Sequence, residues 1–97
     1  MKTTSSADRD SCVTIELYGV PRVRAGRREC SVSASTVADA VRSLERQCPE
    51  LTGSVIIDGC LHAAYRLSLN GERFISDPTT PLAAGDSLVL VAADAGG

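Results

Sequence analysis

The stretch TVADAVRSLERQCP, residues 36–49, decides the fold because it predicts one amphipathic helix. Thr36 is a good N-cap residue, and Asp39 places a carboxylate in the first helical turn. Pro49 is expected to end the helix. Four apolar residues recur at helical spacing and form one stripe: Val37, Val41, Leu44 and Cys48. A helix with a single apolar face has to bury that face, so the flanking segments should supply a sheet.

Two strands are predicted before this helix. Residues 13–18 alternate apolar and polar side chains, as in a half-buried strand. Three of its side chains should face inward: Val13, Ile15 and Leu17. Gly19 and Pro21 are expected to end the strand, and residues 22–26 are expected to hold a turn near Ala25-Gly26. Residues 28–33 then predict a second strand, so the pair should form a hairpin.

Three more strands are predicted after the helix. Residues 51–64 are less regular, with a short strand or a buried loop at Val55-Ile56-Ile57 and a turn at Asp58-Gly59. Residues 65–69 predict a strand, and Asn70-Gly71 is a strong hairpin signal that returns the chain through residues 72–75. Residues 87–91 are mostly apolar, which is typical of a central strand.

This order of elements predicts an α+β protein with a mixed sheet packed on one main helix. The last strand should be central and the first strand its neighbour, which is the arrangement of a β-grasp, or ubiquitin-like, fold. We expect a flexible N-terminal tail at residues 1–11, a β-grasp domain at residues 12–91 and a flexible C-terminal tail at residues 92–97 that ends in Gly-Gly.

Composition excludes several classes of function. The net charge of −2 provides no field that would draw the chain to nucleic acid or an anionic membrane. The N-terminus has no apolar run typical of a secretory signal, so a cytoplasmic location is expected. The four cysteines are too far apart for a metal-binding CxxC motif, and no metal site is predicted. We expect these thiols to be small buried hydrophobic groups.

Five segments, taken in order and spacing, resemble a known family. They are the opening strand through Gly26, Thr36-Val37-Ala38-Asp39, Leu67-Ser68-Leu69-Asn70-Gly71-Glu72, Thr80-Pro81-Leu82-Ala83-Ala84-Gly85-Asp86 and Gly96-Gly97. Together they resemble the ubiquitin-like sulfur carriers, the family of ThiS, MoaD and CysO, over roughly residues 13–97.

The resemblance implies a sulfur carrier that is acted on by enzymes and is not itself one. An E1-like adenylyltransferase of the ThiF or MoeB type would use ATP to join the carboxylate of Gly97 to AMP. A sulfur donor would then displace AMP and leave a thiocarboxylate. The sulfur would pass to an acceptor on a partner such as a thiazole synthase-like enzyme or the large subunit of molybdopterin synthase. The chain itself would bind no cofactor and would supply no catalytic residue.

The residues of the predicted C-terminal tail also indicate how it would fit a partner. Gly96 and Gly97 have no side chains, so a narrow channel in a partner can close around them. Asp94 departs from the family pattern by placing a negative charge close to the reacting end. It would disfavour an anionic acceptor or pair with a basic residue in a partner channel.

By the same resemblance, partners would dock on an apolar patch on the sheet face away from the helix. Tyr18 should point to that face, because alternate residues of a strand point in opposite directions. Phe74 and Val91 are the other predicted partner-binding residues. The alternative that Phe74 and Val91 belong to the core stays open.

Other interpretations also stay open. The chain could be the small subunit of molybdopterin synthase, a ubiquitin-like modifier that forms isopeptide bonds, or a β-grasp interaction module that never uses its tail. Cys60 and His62 could form a thiol nucleophile and its base, although no third group is evident to orient them. Four arginines near the first turn predict a solvated tip rather than a nucleic-acid site: Arg22, Arg24, Arg27 and Arg28.

Overall fold

The computed structural model describes residues 12–93 of the 97-residue chain. In chain order, its elements are β1 (Cys12–Leu17), α1 (Val20–Ala25), β2 (Glu29–Ser33), α2 (Val37–Gln47), a 3-10 turn (Pro49–Leu51), β3 (Ile56–Ile57), β4 (Cys60–Leu61), β5 (Tyr65–Leu69), β6 (Arg73–Ile75) and β7 (Ser87–Ala92). The predicted tail at residues 1–11 lies outside the described residues, as do Asp94, Gly96 and Gly97 of the predicted C-terminal tail.

Five strands form the main sheet in the order β2-β1-β7-β5-β6. β7 is therefore central, as its apolar sequence predicts, and it pairs in parallel with β1 and antiparallel with β5. Its inward side chains Leu88 and Leu90 are fully buried. The mixed sheet packs on α2, so the prediction of an α+β, β-grasp fold is confirmed.

The predicted apolar stripe of α2 is the surface that covers the sheet. Thr36 caps the helix, because its Oγ1 accepts a hydrogen bond from the backbone N–H of Asp39 at 3.2 Å. All four residues of the stripe are buried: Val37, Val41, Leu44 and Cys48. From the sheet, the inward residues predicted on β1 complete this core: Val13, Ile15 and Leu17.

The turn expected near Ala25-Gly26 is present at Gly26, but the residues before it form the short helix α1 (Val20–Ala25), which was not predicted. Pro21 stands in the first turn, where its fixed φ suits a helix and its missing N–H costs nothing. Gly26 ends the helix in the left-handed conformation at φ 72°, and its N–H donates to the carbonyl of Arg22 at 3.0 Å. β1 and β2 still pair antiparallel on either side of α1.

The two turns predicted at Asp58-Gly59 and Asn70-Gly71 are both present. Each has positive φ at its two central residues, which Asp, Asn and Gly tolerate better than other residues. The first turn joins β3 and β4 into a small second sheet, so the short-strand interpretation of this region holds in part. The second turn joins β5 to the edge strand β6.

Candidate functional site

The sheet holds the last described residues of the chain before the predicted C-terminal Gly-Gly. β7 runs one residue beyond its predicted end, to Ala92, which pairs with Tyr65 on β5. The N–H of Ala93 then donates to the carbonyl of Ala64 at 2.6 Å. The chain is therefore fixed by backbone hydrogen bonds up to the last residue before Asp94.

The predicted partner-binding residues come together on the sheet face away from α2. Tyr18 directly follows β1, whose last residue Leu17 pairs with Leu90 of β7, so Tyr18 lies beside Val91. Tyr18 is 47% exposed and Phe74 is 56% exposed. Val91 is half-buried and pairs with Arg66 of β5. Neither Phe74 nor Val91 belongs to the buried core, so the core alternative does not describe them.

Arg66 joins this surface and was missed in the sequence analysis. Its guanidinium carbon lies 5.5 Å from the centroid of the Phe74 ring, within the range of a cation–π contact. The signal that could have found it is strand parity, because Arg66 and Ser68 alternate with the inward Leu67 and precede the hairpin that brings Phe74 back. We call Tyr18, Arg66, Phe74 and Val91 the outer-face patch.

The outer-face patch presents aromatic and aliphatic surface with one cation. Such a combination suits a protein partner, because exposed aromatic and arginine side chains contribute most of the affinity in many protein interfaces. It lies at the C-terminal end of β7, because Val91 is only two residues before Ala93, the last described residue. A partner seated on the patch would therefore stand beside the start of the tail.

The Cys60–His62 hypothesis finds little geometric support. Both residues line an open cavity of about 670 Å³ between α2 and strands β4 to β6. The Nδ1 of His62 already accepts a hydrogen bond from the N–H of Ala64 at 2.9 Å, and the ring packs edge-on to Tyr65. No hydrogen bond between Cys60 and His62 is found among the described residues.

Other candidate sites are also weak within the described part of the chain. No three His, Cys, Asp or Glu side chains of residues 12–93 converge on a point that could hold a metal ion. Neither α1 nor α2 is long and apolar enough to cross a membrane. The predicted arginine cluster surrounds α1, where Arg24, Arg27 and Arg28 are exposed to solvent.

A polar network fixes the turn that leads into β7, at the opposite end of that strand from the patch. The carboxylate of Asp86 accepts from the N–H of Ala83 at 2.8 Å and from the side-chain amide of Asn70 at 3.2 Å. These donors lower the pKa of Asp86, with the backbone hydrogen bond the larger cause. Asn70 in turn accepts from the N–H of Ser87 at 2.8 Å.

Comparison with known proteins shows which solved structures this chain is similar to. No family model matches the chain, and no curated protein matches its sequence. Among solved structures, small archaeal modifier protein 1 (SAMP1) of Haloferax volcanii is 30% identical with a TM-score of 0.75, over 89% of this chain and 99% of that one. SAMP1 of Methanosarcina acetivorans is 22% identical with a TM-score of 0.76, over 91% and 98% of the two chains.

A third similar structure comes from a complex. A chain of the BexX/CysO complex of Amycolatopsis orientalis is 19% identical with a TM-score of 0.71, over 88% of this chain and 99% of that one. The fold thus defines a small ubiquitin-like protein. At the identity and coverage of the Haloferax protein, the chain belongs to the ubiquitin-like sulfur-carrier family, and the resemblance stated from its sequence is confirmed.

Proposed function

We propose that this protein carries sulfur as a thiocarboxylate on the carboxyl carbon of Gly97. Its similarity to the Haloferax protein over almost the whole of both chains is the observation that supports the proposal most. The family comprises small carriers and modifiers, so the active group is expected on the chain's own terminus rather than in a cleft.

In the proposed cycle, the Gly97 carboxylate attacks the α-phosphate of ATP on an E1-like enzyme of the ThiF or MoeB type and releases pyrophosphate. The resulting acyl adenylate has a good leaving group. Sulfide then forms the carbon–sulfur bond, expels AMP and leaves the thiocarboxylate. If the donor is an enzyme persulfide, expulsion of AMP gives an acyl disulfide, and a second thiol of the enzyme attacks the enzyme's sulfur, forms a disulfide with it and releases the thiocarboxylate. The partner enzyme supplies the acid, the base and the metal-bound ATP, and this chain supplies no catalytic residue. A cytoplasmic location is part of the proposal.

The chain's own contribution is to present the tail. The backbone is held on the central strand up to Ala93, and the outer-face patch offers a docking surface beside the point of exit. We assign Tyr18, Phe74 and Val91 to partner binding on that ground. Gly96 and Gly97 would enter the partner's channel, and Asp94 would lie at its mouth.

The acceptor of the sulfur belongs to a second partner. A structurally similar chain forms a complex with BexX, which supports the proposal that this protein also delivers its sulfur to a synthase that holds the acceptor. A thiazole synthase-like enzyme and the large subunit of molybdopterin synthase are the two partner classes that we propose.

The direct test is intact-mass spectrometry after incubation with an E1-like enzyme, ATP and sulfide. We expect one oxygen of the protein to be replaced by one sulfur. The change should require ATP and should be lost on deletion of Gly97, whereas the outer-face variant Phe74→Ala should still be modified at high enzyme concentration. An unchanged mass with E1-like enzymes of both types would contradict the proposal.

A protein modifier is the second candidate, and the name of the Haloferax relative favours it. Both functions begin with the same adenylate, but a modifier transfers its acyl group to a lysine amine. Incubation of the activated protein with a lysate of its source would separate them. Conjugates whose tryptic peptides carry a C-terminal remnant of this chain on lysine would support the modifier, and free thiocarboxylate without conjugates would support the carrier.

A further inference from the structure

Two thiols that the proposed function does not use meet in the core. Cys30 lies on β2, and Cys48 follows α2 as its C-cap. Their Sγ atoms are 3.5 Å apart, and the two residues are only 2% and 1% exposed. The sulfur atoms of a disulfide are about 2.05 Å apart, so a combined shift of roughly 1.5 Å would bring them to bonding distance.

The surroundings of the two thiols are unequal. The Nη1 atom of Arg27, an exposed residue, lies 3.7 Å from the Sγ of Cys30. We expect an oxidant to approach Cys30 past the exposed Arg27 side chain, whose positive charge favours attack by an anionic sulfur. No such cation contacts the Cys48 thiol among the hydrogen bonds of the described residues, and burial raises its pKa to about 11.

We propose that Cys30 and Cys48 form an intramolecular disulfide when the protein meets a peroxide. Cys30 is the attacking residue and Cys48 is the resolving residue. No other pair of cysteines is in contact among residues 12–93, which contain all four cysteines of the chain.

The reaction balances with hydrogen peroxide as the oxidant. The Cys30 thiolate attacks one peroxide oxygen, the O–O bond breaks, and a sulfenic acid and hydroxide form. The hydroxide takes up the proton that Cys30 released and becomes water. The Cys48 sulfur then attacks the Cys30 sulfur, and its S–H proton leaves with the sulfenic hydroxyl as a second water. Two thiols lose two electrons, and the peroxide gains them.

The bond would tie β2 to the C-terminal end of α2, two elements whose cysteines lie 18 residues apart in the chain. A crosslink of this length restricts the unfolded chain and should raise the midpoint of thermal unfolding by roughly 10 °C. The outer-face patch and the exit of β7 lie elsewhere on the sheet, so sulfur loading should proceed in both redox states.

The test uses the full chain with the double substitution Cys12→Ser and Cys60→Ser, which leaves only the proposed pair. After treatment with hydrogen peroxide, the protein is unfolded in acid and its remaining thiols are alkylated. We expect a monomer that is lighter by two hydrogens and takes up no alkyl group. Two alkyl groups, added oxygen without loss of hydrogen, or a disulfide-linked dimer would each overturn the proposal.

Two further variants in the same background test the assigned roles. With Cys48→Ala, the reaction should stop at oxygen adducts of Cys30, because no resolving thiol remains. With Arg27→Gln, disulfide formation should be several-fold slower while its final extent is unchanged. Equal rates with and without Arg27 would overturn the role given to Arg27. A lower unfolding midpoint for the oxidised protein would show that the folded geometry does not accommodate the bond.

Discussion

Phe74 is the clearest candidate for a partner-binding residue, because its side chain is both aromatic and exposed. It lies on the edge strand β6, it is 56% exposed, and its ring contacts the guanidinium of Arg66 instead of the core. The exposed part of this ring gains nothing for folding, so it is free to contribute to binding. The sequence could name Phe74 as a candidate, but its exposure depends on the register of the β5–β6 hairpin.

Substitution of Phe74 therefore separates binding from stability. We expect Phe74→Ala to weaken binding to the E1-like partner roughly tenfold, because it removes the largest apolar surface of the outer-face patch. Its free energy of unfolding should change by roughly 0.5 kcal/mol or less, as for other exposed side chains. Titration calorimetry and urea unfolding measure the two effects.

Val23 provides the matched control for Phe74. It is 80% exposed but lies on α1, outside the outer-face patch. Val23→Ala should leave both affinity and stability unchanged. Equal losses of affinity for Val23→Ala and Phe74→Ala would contradict the assignment of the patch.

At the scale of elements, the turn before β7 depends on one carboxylate. Asp86 accepts hydrogen bonds from Ala83 and from the side chain of Asn70, and so links this turn to the β5–β6 hairpin. Since these bonds lower the pKa of Asp86 in the folded protein, they stabilise the fold above the ordinary aspartate pKa. That stabilisation is lost as the pH falls below about 4 toward the lowered pKa.

The pH dependence of Asp86→Asn tests this linkage. At pH 7, we expect the variant to unfold at a midpoint lower by roughly 5 °C than the unchanged protein. The gap should shrink at acidic pH, as the pH falls below the ordinary aspartate pKa of about 4 toward the lowered pKa of Asp86, because Asp86 itself then takes up a proton. Glu72→Gln, in the neighbouring hairpin turn, should show no gap at either pH. A difference in unfolding midpoint between Asp86→Asn and the unchanged protein that stays constant with pH would contradict the role given to the Asp86 carboxylate charge.

The elements also show how far the sequence can predict the fold. α2 was predictable because Thr36, Asp39 and Pro49 mark its ends and its stripe has helical spacing. α1 was not, because six residues are too few to show a period and Val20 and Val23 face solvent. The signal that could have revealed it is the pair of Pro21 at its start and Gly26 at its end.

The candidate site was predictable only in part. Strand parity placed Tyr18 on the outer face, and the resemblance to sulfur carriers drew attention to Phe74 and Val91. The contact of Arg66 with Phe74 depends on cross-strand register, which the local sequence does not specify. The approach of Cys30 to Cys48 depends on how α2 lies across the sheet. The spacing of residues in the sequence does not predict that orientation.

At the scale of the whole molecule, β7 is the most protected strand of the sheet. It has hydrogen-bonded neighbours on both sides, and Leu88 and Leu90 are fully buried beneath α2. β6 is an edge strand of three residues with two exposed side chains. The stability of the fold should therefore fall from the centre of the sheet toward β6.

Amide hydrogen exchange measures this gradient. We expect the amides of Leu88 and Leu90 to exchange only on global unfolding, and those of Arg73 and Phe74 to exchange at least roughly a hundredfold faster through local opening. Denaturant should accelerate the two groups to different extents. Equal protection of the amides of β6 and β7 would contradict a stability that decreases from the central strand β7 to the edge strand β6.

The parallel pairing of β1 with β7 also determines how the molecule resists a pulling force. Four residue pairs join these strands, from Thr14 with Ser87 to Leu17 with Leu90, and both strands run in the same direction. Tension applied at the start of β1 and the end of β7 slides one strand along the other and loads all of these bonds together. An enzyme that draws the C-terminal segment into a channel would pull along β7, and the strands paired with β7 on both sides, β1 and β5, would share that load.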